Sequence, residues 1–148
     1  MHMKAQGLNQ EENLMSIRLA AVNDIDILCG HDLHISKTEL KSLVELNRIY
    51  IAEKNGEFIG WLRYNLFWDN TPFMNMLYVF EEHRGNGIGR QLVEHWENQM
   101  TLLGYDTVMT STASDEYAQH FYMKLGYKVI GGFFPKGDPY EVILSKYL

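Results

Sequence analysis

The residues best suited to bind a ligand or take part in chemistry form a glycine-rich turn. It lies between an apolar run ending near Val79 and a helix-like run. The turn consists of His83, Arg84, Gly85, Asn86, Gly87, Ile88, Gly89 and Arg90. Its three glycines remove every β-carbon where the backbone would approach a ligand closely. The unpaired N–H groups at the start of the following helix would face the same place, which is typical of a phosphate site. The two arginines could add charge-assisted contacts, so the pattern indicates a protein that holds a diphosphate-bearing ligand.

A second interpretation is that these glycines only mark a turn. Asn86-Gly87 alone is a hairpin signal, but a hairpin requires a strand on both sides. The apolar residues that follow recur at intervals typical of one helix face. They are Ile88, Leu92, Val93, Trp96, Met100 and Leu103. The segment is therefore a strand-to-helix turn, and the local pattern leaves open whether it also binds phosphate.

Other nucleotide and metal motifs do not fit the sequence. The turn lacks the Gly-x-Gly-x-x-Gly spacing of dinucleotide-binding folds, and the Lys-Ser/Thr of a P-loop is absent. Cys29, His31 and His34 lie close together in the sequence. Structural zinc, however, requires four ligands with paired spacing, and no second pair exists. No metal site is predicted.

The composition is that of one acidic globular domain. The chain has 148 residues, 46% of them hydrophobic, and a net charge of −6. The lack of a basic run argues against nucleic acid as a partner, and no apolar run reaches the length of a membrane span. The single cysteine, Cys29, excludes an internal disulfide and favours a reducing cytoplasm. Residues 1–14 are predicted to be a flexible tag or leader, and residues 15–148 a single domain.

The elements that must position the turn indicate a mixed α/β fold. In the first half we predict strands from Met15 to Leu19, Arg48 to Glu53, Phe58 to Phe67 and Phe73 to Val79. The predicted turns are Lys54 to Glu57 and Asp69 to Pro72. One predicted helix runs from Ile25 to Cys29 and is capped by Asn23 or Asp24. A second helix follows the capping box Ser36 to Glu39.

The second half of the chain continues this alternation. We predict a helix from Ile88 closed by Gly104, a buried strand from Thr107 to Ser111, a helix from Asp115 to Leu125 with Ser114 as cap and Gly126 as stop, and strands from Tyr127 to Phe134 and from Tyr140 to Lys146. Strand, helix, strand and helix around the glycine turn imply at least one parallel crossover in an otherwise antiparallel sheet.

Three segments resemble motifs of the GNAT superfamily of N-acetyltransferases. The strand before the turn, with Arg84, Gly87 and Gly89, is similar to the family's acetyl-CoA site, Arg/Gln-x-x-Gly-x-Gly/Ala. The run from Ala118 to Tyr127 resembles a second family motif on a helix, and the segment from Tyr140 to Lys146 resembles its last strand. The resemblance implies a GNAT-like α/β fold with a central mixed, mostly antiparallel sheet of six to seven strands flanked by about four helices.

The resemblance also implies where acetyl-CoA, the co-substrate, would bind. Main-chain groups of Leu77, Tyr78 and Val79 would pair with the pantetheine amides as an added strand does. Backbone N–H groups from Arg84 to Arg90 would hold the pyrophosphate. Asp115 stands where the family often has an asparagine that touches the pantetheine arm. Some members carry a glutamate base on the strand before the turn, but this strand has no carboxylate, so no base is assigned.

The catalytic residue implied by the resemblance is Tyr122, acting as an acid toward the leaving thiolate. A tyrosine has a pKa near 10 and a thiol near 8.5. A hydrogen bond to the sulfur as charge builds is therefore expected rather than early proton transfer. The Val79 amide could stabilise the oxyanion. The alternative interpretation is that Tyr122 is a core residue, because it belongs to an apolar helical stripe with Ala118, Phe121 and Leu125.

The resemblance implies direct attack by a primary amine on acetyl-CoA, the amine belonging to a small molecule or a protein. A non-catalytic acyl-CoA sensor or scaffold is the alternative, and a homodimer is left open. In this fold the acceptor pocket is bordered by the early helices, the end of the third strand and the final hairpin. The residues in these regions are His31, Asp32 and His34, then Trp68 and Asp69, then Phe133, Phe134 and Tyr140.

Overall fold

The computed structural model describes residues 14–148, so the predicted tag or leader lies outside the described residues except for Leu14. Seven strands form one sheet in the described part. They are β1 (Met15–Leu19), β2 (Ile49–Lys54), β3 (Glu57–Phe67), β4 (Thr71–Val79), β5 (Thr107–Ala113), β6 (Lys128–Phe133) and β7 (Glu141–Tyr147). The four α helices are α1 (Ile25–His31), α2 (Lys37–Glu45), α3 (Ile88–Leu102) and α4 (Ala118–Lys124).

The sheet has the order β1-β2-β3-β4-β5-β7-β6. Neighbouring strands are antiparallel except β4 and β5, which are parallel and joined by α3. The predicted mixed, mostly antiparallel sheet of six to seven strands with a parallel crossover is confirmed, with seven strands in the described residues. No helix of residues 14–148 is long and apolar enough to cross a membrane.

The first hairpin forms where the sequence predicts it. Asn55 and Gly56 have φ values of 52° and 78°, as a two-residue type I′ turn requires. β4 begins at Thr71, two residues earlier than predicted, and includes Pro72 opposite Leu66 of β3. Because β5 pairs with β4 only from Phe73 onward, the proline lies at the strand start, where its missing N–H leaves no ladder bond unmade.

Helix starts agree with the sequence at one position and differ at two. Ser36 caps α2 as predicted, since its hydroxyl accepts from the Glu39 N–H at 3.2 Å. Asp24 precedes α1 without a side-chain cap bond, because its carboxylate is taken by Arg18 and by the Ala21 N–H. Ser114 does not cap a helix. Its N–H donates to the Tyr140 carbonyl at 2.7 Å, which extends the β5–β7 contact, and α4 begins only at Ala118.

The core consists of two apolar clusters on opposite faces of the sheet. On one face α3 and α4 cover the strands, with Leu62, Leu92, Trp96 and Leu144 at the centre of the cluster. On the other face α1 and α2 cover a smaller cluster of Leu28, Leu40, Leu43, Ile49, Ile51 and Trp61. Each cluster fixes one pair of helices to the same sheet, so residues from both faces meet wherever the sheet opens.

One buried carboxylate, Glu97 of α3, joins this helix to the last strands. It accepts hydrogen bonds from the Tyr127 hydroxyl at 2.8 Å and from the Lys146 ammonium at 3.0 Å. Burial and the adjacent Glu97 charge raise the pKa of Tyr127, so the phenol stays protonated and remains a donor. The cluster ties α3 to β7 behind the glycine turn.

Candidate active site

The sheet opens between its two parallel strands. β4 and β5 pair only at Phe73–Met109 and Met74–Thr110, although β4 continues to Val79 and β5 to Ala113. Beyond these pairs the strands diverge around a cleft of about 880 Å³. Its lining includes Met76, Leu77, Thr110, Ser111, Ala118 and Tyr122. The cleft brings residues of both faces of the sheet into one space.

A β-bulge lies at the point where the strands separate. Tyr64 of β3 pairs with Met74 and Arg63 pairs with Met76, so Asn75 is an extra residue in β4. A bulge bends its strand and redirects the side chains that follow. Here Met74 belongs to the cluster under α3, whereas Met76 packs with the cluster under α1 and α2. The bulge thus turns β4 away from β5.

The edge of β4 that faces the cleft has unpaired backbone. Leu77, Tyr78 and Val79 pair with β3 on one side and have no β5 partner on the other. Unpaired groups on a strand edge form a template on which an extended ligand can add. They are the residues that the resemblance assigns to the pantetheine arm, and this assignment stays a prediction.

The glycine turn carries the geometry of an anion site. Gly85 and Gly87 have φ values of 80° and 77°, the left-handed region that favours glycine. Gly87 precedes α3, and the first helical bond runs from the Gln91 N–H to the Gly87 carbonyl at 3.0 Å. The preceding N–H groups, of Ile88, Gly89 and Arg90, are therefore without helical partners and can bind phosphate oxygens.

Gly89 has a packing role in addition. A β-carbon at Gly89 would lie 3.6 Å from the Phe121 ring of α4 and 3.9 Å from Val79 of β4. The first turn of α3 therefore lies close to α4 and to the end of β4. The predicted helix after the turn is confirmed, and Gly104, with φ 93°, closes it.

The two arginines of the turn have protein partners. The Arg84 Nε donates to the Val79 carbonyl at 2.8 Å, and its guanidinium lies 5.1 Å from the Tyr78 ring centroid. The Arg90 Nε donates to the Glu94 carboxylate, four residues on, at 2.8 Å. Arg84 thus fastens the glycine turn to the end of β4, which the sequence pattern did not indicate.

Tyr122 lies on α4 and lines the cleft while only 7% exposed. Burial raises the pKa of its phenol to about 12, and the neighbouring Thr110 hydroxyl opposes part of the rise. Thr110 itself donates to the Met74 carbonyl at 3.0 Å, at the last pair before the strands diverge. A protonated phenol is therefore held near the point where the cleft begins.

Carboxylates line the cleft on the side of α4 and of the hairpin that joins β6 and β7. Asp115 lies in the turn between β5 and α4, at the place that the resemblance assigns to pantetheine. The other acidic residues in the lining are Glu116, Asp138 and Glu141. The Glu116 carboxylate accepts from the Thr112 hydroxyl at 3.1 Å. A cationic amine would be attracted to this rim.

Of the residues predicted to border the acceptor pocket, some line the cleft and others lie elsewhere. His34 lines the cleft, whereas His31 packs against aromatic rings, with the Phe80 centroid at 4.8 Å. Trp68 lines a separate cavity of about 730 Å³ at the other end of β4, because the β3–β4 turn lies opposite the strand's cleft end. Asp69, Phe133, Phe134 and Tyr140 are not in the cleft lining.

A buried ion pair lies at the side of the cleft that α1 covers. Asp32 binds Arg63 through two hydrogen bonds, Nε to Oδ2 at 2.6 Å and Nη2 to Oδ1 at 3.3 Å. The Trp61 indole donates to the same carboxylate at 3.1 Å, and the His34 N–H at 3.3 Å. Burial alone would raise the pKa of Asp32, but the Arg63 guanidinium and these donors hold it below its usual value.

The sequence pattern did not single out Arg63, although a signal was present. It is a charged residue in the middle of an eleven-residue strand whose central positions are all buried. A charge in such a strand requires a partner or a functional reason. Among residues 14–148 no cluster of three or more His, Cys, Asp or Glu side chains is arranged to hold a metal ion.

Comparison with known proteins agrees with this geometry. Residues 23–127 match the family model of the acetyltransferase (GNAT) family. An uncharacterized N-acetyltransferase of Methanocaldococcus jannaschii is 28% identical over 105 residues, which are 68% of this chain and 67% of the relative.

Solved structures agree in fold. Ard1 from Thermoplasma volcanium is 14% identical with a TM-score of 0.77, covering 90% of this chain and 97% of its own. The PaiA N-acetyltransferase from Thermoplasma acidophilum, solved in complex with coenzyme A, is 19% identical with a TM-score of 0.74, covering 91% and 99%. The match to the family model spans well over half of the chain. The chain therefore belongs to the acetyltransferase (GNAT) family and is an acyltransferase.

Proposed function

We propose that the protein transfers the acetyl group of acetyl-CoA to a primary amine by direct attack. The observation that carries this proposal is the cleft between β4 and β5, which has an unpaired strand edge along β4 and the phenol of Tyr122 in its lining, together with the glycine turn that follows β4. The coenzyme A complex of the T. acidophilum relative supports acetyl-CoA as the donor.

The donor would bind mainly to backbone. The pantetheine amides would pair with the β4 edge at Leu77, Tyr78 and Val79, where the Val79 carbonyl already accepts from Arg84, and the pyrophosphate would accept from the N–H groups between Arg84 and Arg90. Arg84 supports this arrangement indirectly, because its bond to the Val79 carbonyl holds the turn against the strand. Asp115, at the edge of the cleft, is proposed to contact the pantetheine arm.

In the proposed reaction the amine nitrogen attacks the thioester carbonyl carbon and forms a tetrahedral intermediate. The C–S bond then breaks, the thiolate leaves, and the amine loses one proton. The Val79 N–H is proposed to stabilise the oxyanion. No residue is assigned as the base that removes the amine proton.

Tyr122 would stabilise the leaving thiolate by a hydrogen bond. Its pKa of about 12 lies about 3.5 units above that of a thiol, so complete proton transfer would be uphill by about 5 kcal/mol. A hydrogen bond that strengthens as negative charge develops on sulfur requires no such transfer. The raised pKa also keeps the phenol protonated at every pH at which the protein would work.

The test is thiol release from acetyl-CoA in the presence of a panel of amines, with acetyl-CoA binding measured by isothermal titration calorimetry. We expect binding at sub-millimolar concentration and turnover with at least one amine. Absence of binding would contradict the proposal outright. Binding without turnover for any amine would favour the alternative, a non-catalytic acyl-CoA sensor or scaffold.

A further inference from the structure

The buried arginine of β3, Arg63, has hydrogen-bonding capacity that the protein does not use. A guanidinium has five N–H donors. Two of them, on Nε and Nη2, are taken by Asp32, which leaves three. No other acceptor for them is found among residues 14–148, although the residue is only 6% exposed.

The free N–H groups of Arg63 face the cleft. The Arg63 side chain is part of the cleft lining. Within the described residues, the Trp96 indole nitrogen is the only side-chain polar atom that is fully enclosed and has no hydrogen-bond partner. The nitrogen of Arg63 that has no partner is therefore not fully enclosed. The small exposed part of Arg63 therefore opens into the cleft, where a ligand can reach it.

The position of Arg63 places it at the acceptor end. It lies opposite Met76, one residue beyond the bulge, on the sheet face that α1 and α2 cover. Tyr122 enters the same cleft from α4, on the other face. An acceptor that approaches from the α1 side would pass Arg63 before it reaches the phenol.

The charges around Arg63 indicate what kind of group it binds. Asp32 neutralises the guanidinium, and the rest of the rim is acidic through Asp115, Glu116, Asp138 and Glu141. A free carboxylate on the acceptor would be repelled by this rim. An uncharged carbonyl oxygen, in contrast, can accept from the guanidinium without adding negative charge to the cleft.

We infer that Arg63 is a specificity-determining residue that binds an amide carbonyl of the acceptor, so that the preferred acceptors are peptide-like amines. This inference rests on the proposed acetyl transfer and names its substrate class. Asp32 acts as a positioning residue, because its two bonds fix the plane of the guanidinium. Trp61 and the His34 N–H in turn hold the Asp32 carboxylate.

Two altered proteins test the inference. In Arg63→Lys the ammonium can still pair with Asp32, but the planar fork of donors is lost. In the double variant Arg63→Gln with Asp32→Asn, a neutral hydrogen-bonded pair of similar size replaces the ion pair, so no buried charge is left alone. Arg48→Lys is the matched control, because Arg48 is a half-buried arginine that bonds to Asn65 and does not line the cleft.

The assay compares two acceptors. One is a short peptide with uncharged side chains, a free N-terminal amine and an amidated C-terminus, and the other is an alkyl diamine that lacks a carbonyl. Loss of a hydrogen bond to a charged donor is expected to raise the KM for the peptide amide about 10-fold or more in both Arg63 variants. The kcat for that acceptor, the kcat/KM for the diamine and the Kd of acetyl-CoA should change less than about 2-fold. Arg48→Lys should leave every value unchanged, and circular dichroism verifies that each variant is folded.

The outcomes separate the two proposals. Turnover that favours the diamine in the wild type, or an equal loss with both acceptors in the folded variants, overturns the role of Arg63 and leaves acetyl transfer intact. Binding of acetyl-CoA without turnover for any amine overturns the proposed function, and the inference on Arg63 with it. A preference for the peptide amide that disappears in both Arg63 variants confirms the assignment.

Discussion

The two halves of the proposed site differ in what they are made of. The donor half, where acetyl-CoA is proposed to bind, consists of backbone, namely the free edge of β4, two glycines with positive φ and the first turn of α3. The acceptor half consists of side chains that lie far apart in the sequence, such as Asp32 and Arg63. Backbone sites require only a few residue types at fixed spacing, whereas a side-chain site can change its ligand without a change of fold. In this proposal the donor half follows the family motif, and the acceptor half determines the substrate.

The largest effect is expected where the two halves meet, at Tyr122. In Tyr122→Phe the phenol that would stabilise the thiolate is lost, and kcat should fall by about 100-fold. The Kd of acetyl-CoA should not change, because the donor is proposed to bind to backbone. Tyr127→Phe is the matched control, since it removes an equally buried phenol that bonds to Glu97 and does not line the cleft. Steady-state kinetics and calorimetry make the measurement, and an equal loss of kcat in both variants would show that Tyr122 is a core residue only.

The pH profile separates the proton of the acceptor from that of the phenol. Below the pKa of the amine, kcat/KM should rise about tenfold for each pH unit as the neutral amine accumulates. Because burial raises the pKa of Tyr122 to about 12, its protonated form persists across the accessible range and adds no falling limb near pH 10. A falling limb near pH 10 that is present in the wild type and absent in Tyr122→Phe would contradict this assignment.

A backbone change should affect the donor half alone. Gly87→Ala places a β-carbon on a residue with φ 77°, which costs about 1 kcal/mol and disturbs the N–H groups that follow. The KM for acetyl-CoA should rise about 5-fold while the KM for the acceptor stays the same. Gly30→Ala is the control, because Gly30 lies in α1 with open space around its Cα and an ordinary φ. A rise in the acceptor KM of Gly87→Ala would show that the two halves are not independent.

The smallest kinetic effect is expected at Glu97, which bonds to Tyr127 and Lys146 and does not line the cleft. Glu97→Gln keeps the shape of the side chain but removes the charge that pairs with Lys146. We expect the free energy of unfolding to fall by about 1–3 kcal/mol, with both KM values changed less than 2-fold. Chemical denaturation and steady-state kinetics on the same preparation test this. A selective loss of acetyl-CoA affinity would place Glu97 in the donor half.

Most of the fold could be predicted because its signals are local. The hairpin at Asn55-Gly56, the cap at Ser36 and the helix after Gly87 each depend on residues within a few positions of one another. The start of α4 could not be placed in this way. A serine followed by acidic residues is typical of a helix start, but the N–H of Ser114 is instead bound by Tyr140, twenty-six positions away in the sequence.

In the site as well, features that depend on local sequence could be predicted and those that depend on distant contacts could not. Tyr122 lies in the cleft lining and the glycine turn precedes α3, as motif spacing predicts, and the roles assigned to both stay predictions. The pair of Asp32 and Arg63 depends on α1 packing against β3, and spacing alone does not indicate it. The partners of Arg84 and Arg90 were also beyond the sequence, because a flanking arginine has several acceptors within reach and only the folded turn selects one.

The short junction between β4 and β5 bears on how the molecule opens. β3 and β4 pair over eight positions and β5 and β7 over seven, but only two positions join β4 to β5. We expect β4 and β5 to separate at this seam at a lower free energy than global unfolding requires. A ligand lying along both strand edges spans the seam and suppresses that opening. Amide hydrogen exchange of β5 should therefore slow on addition of acetyl-CoA. Exchange in β2, which is separated from β4 by β3, should change little.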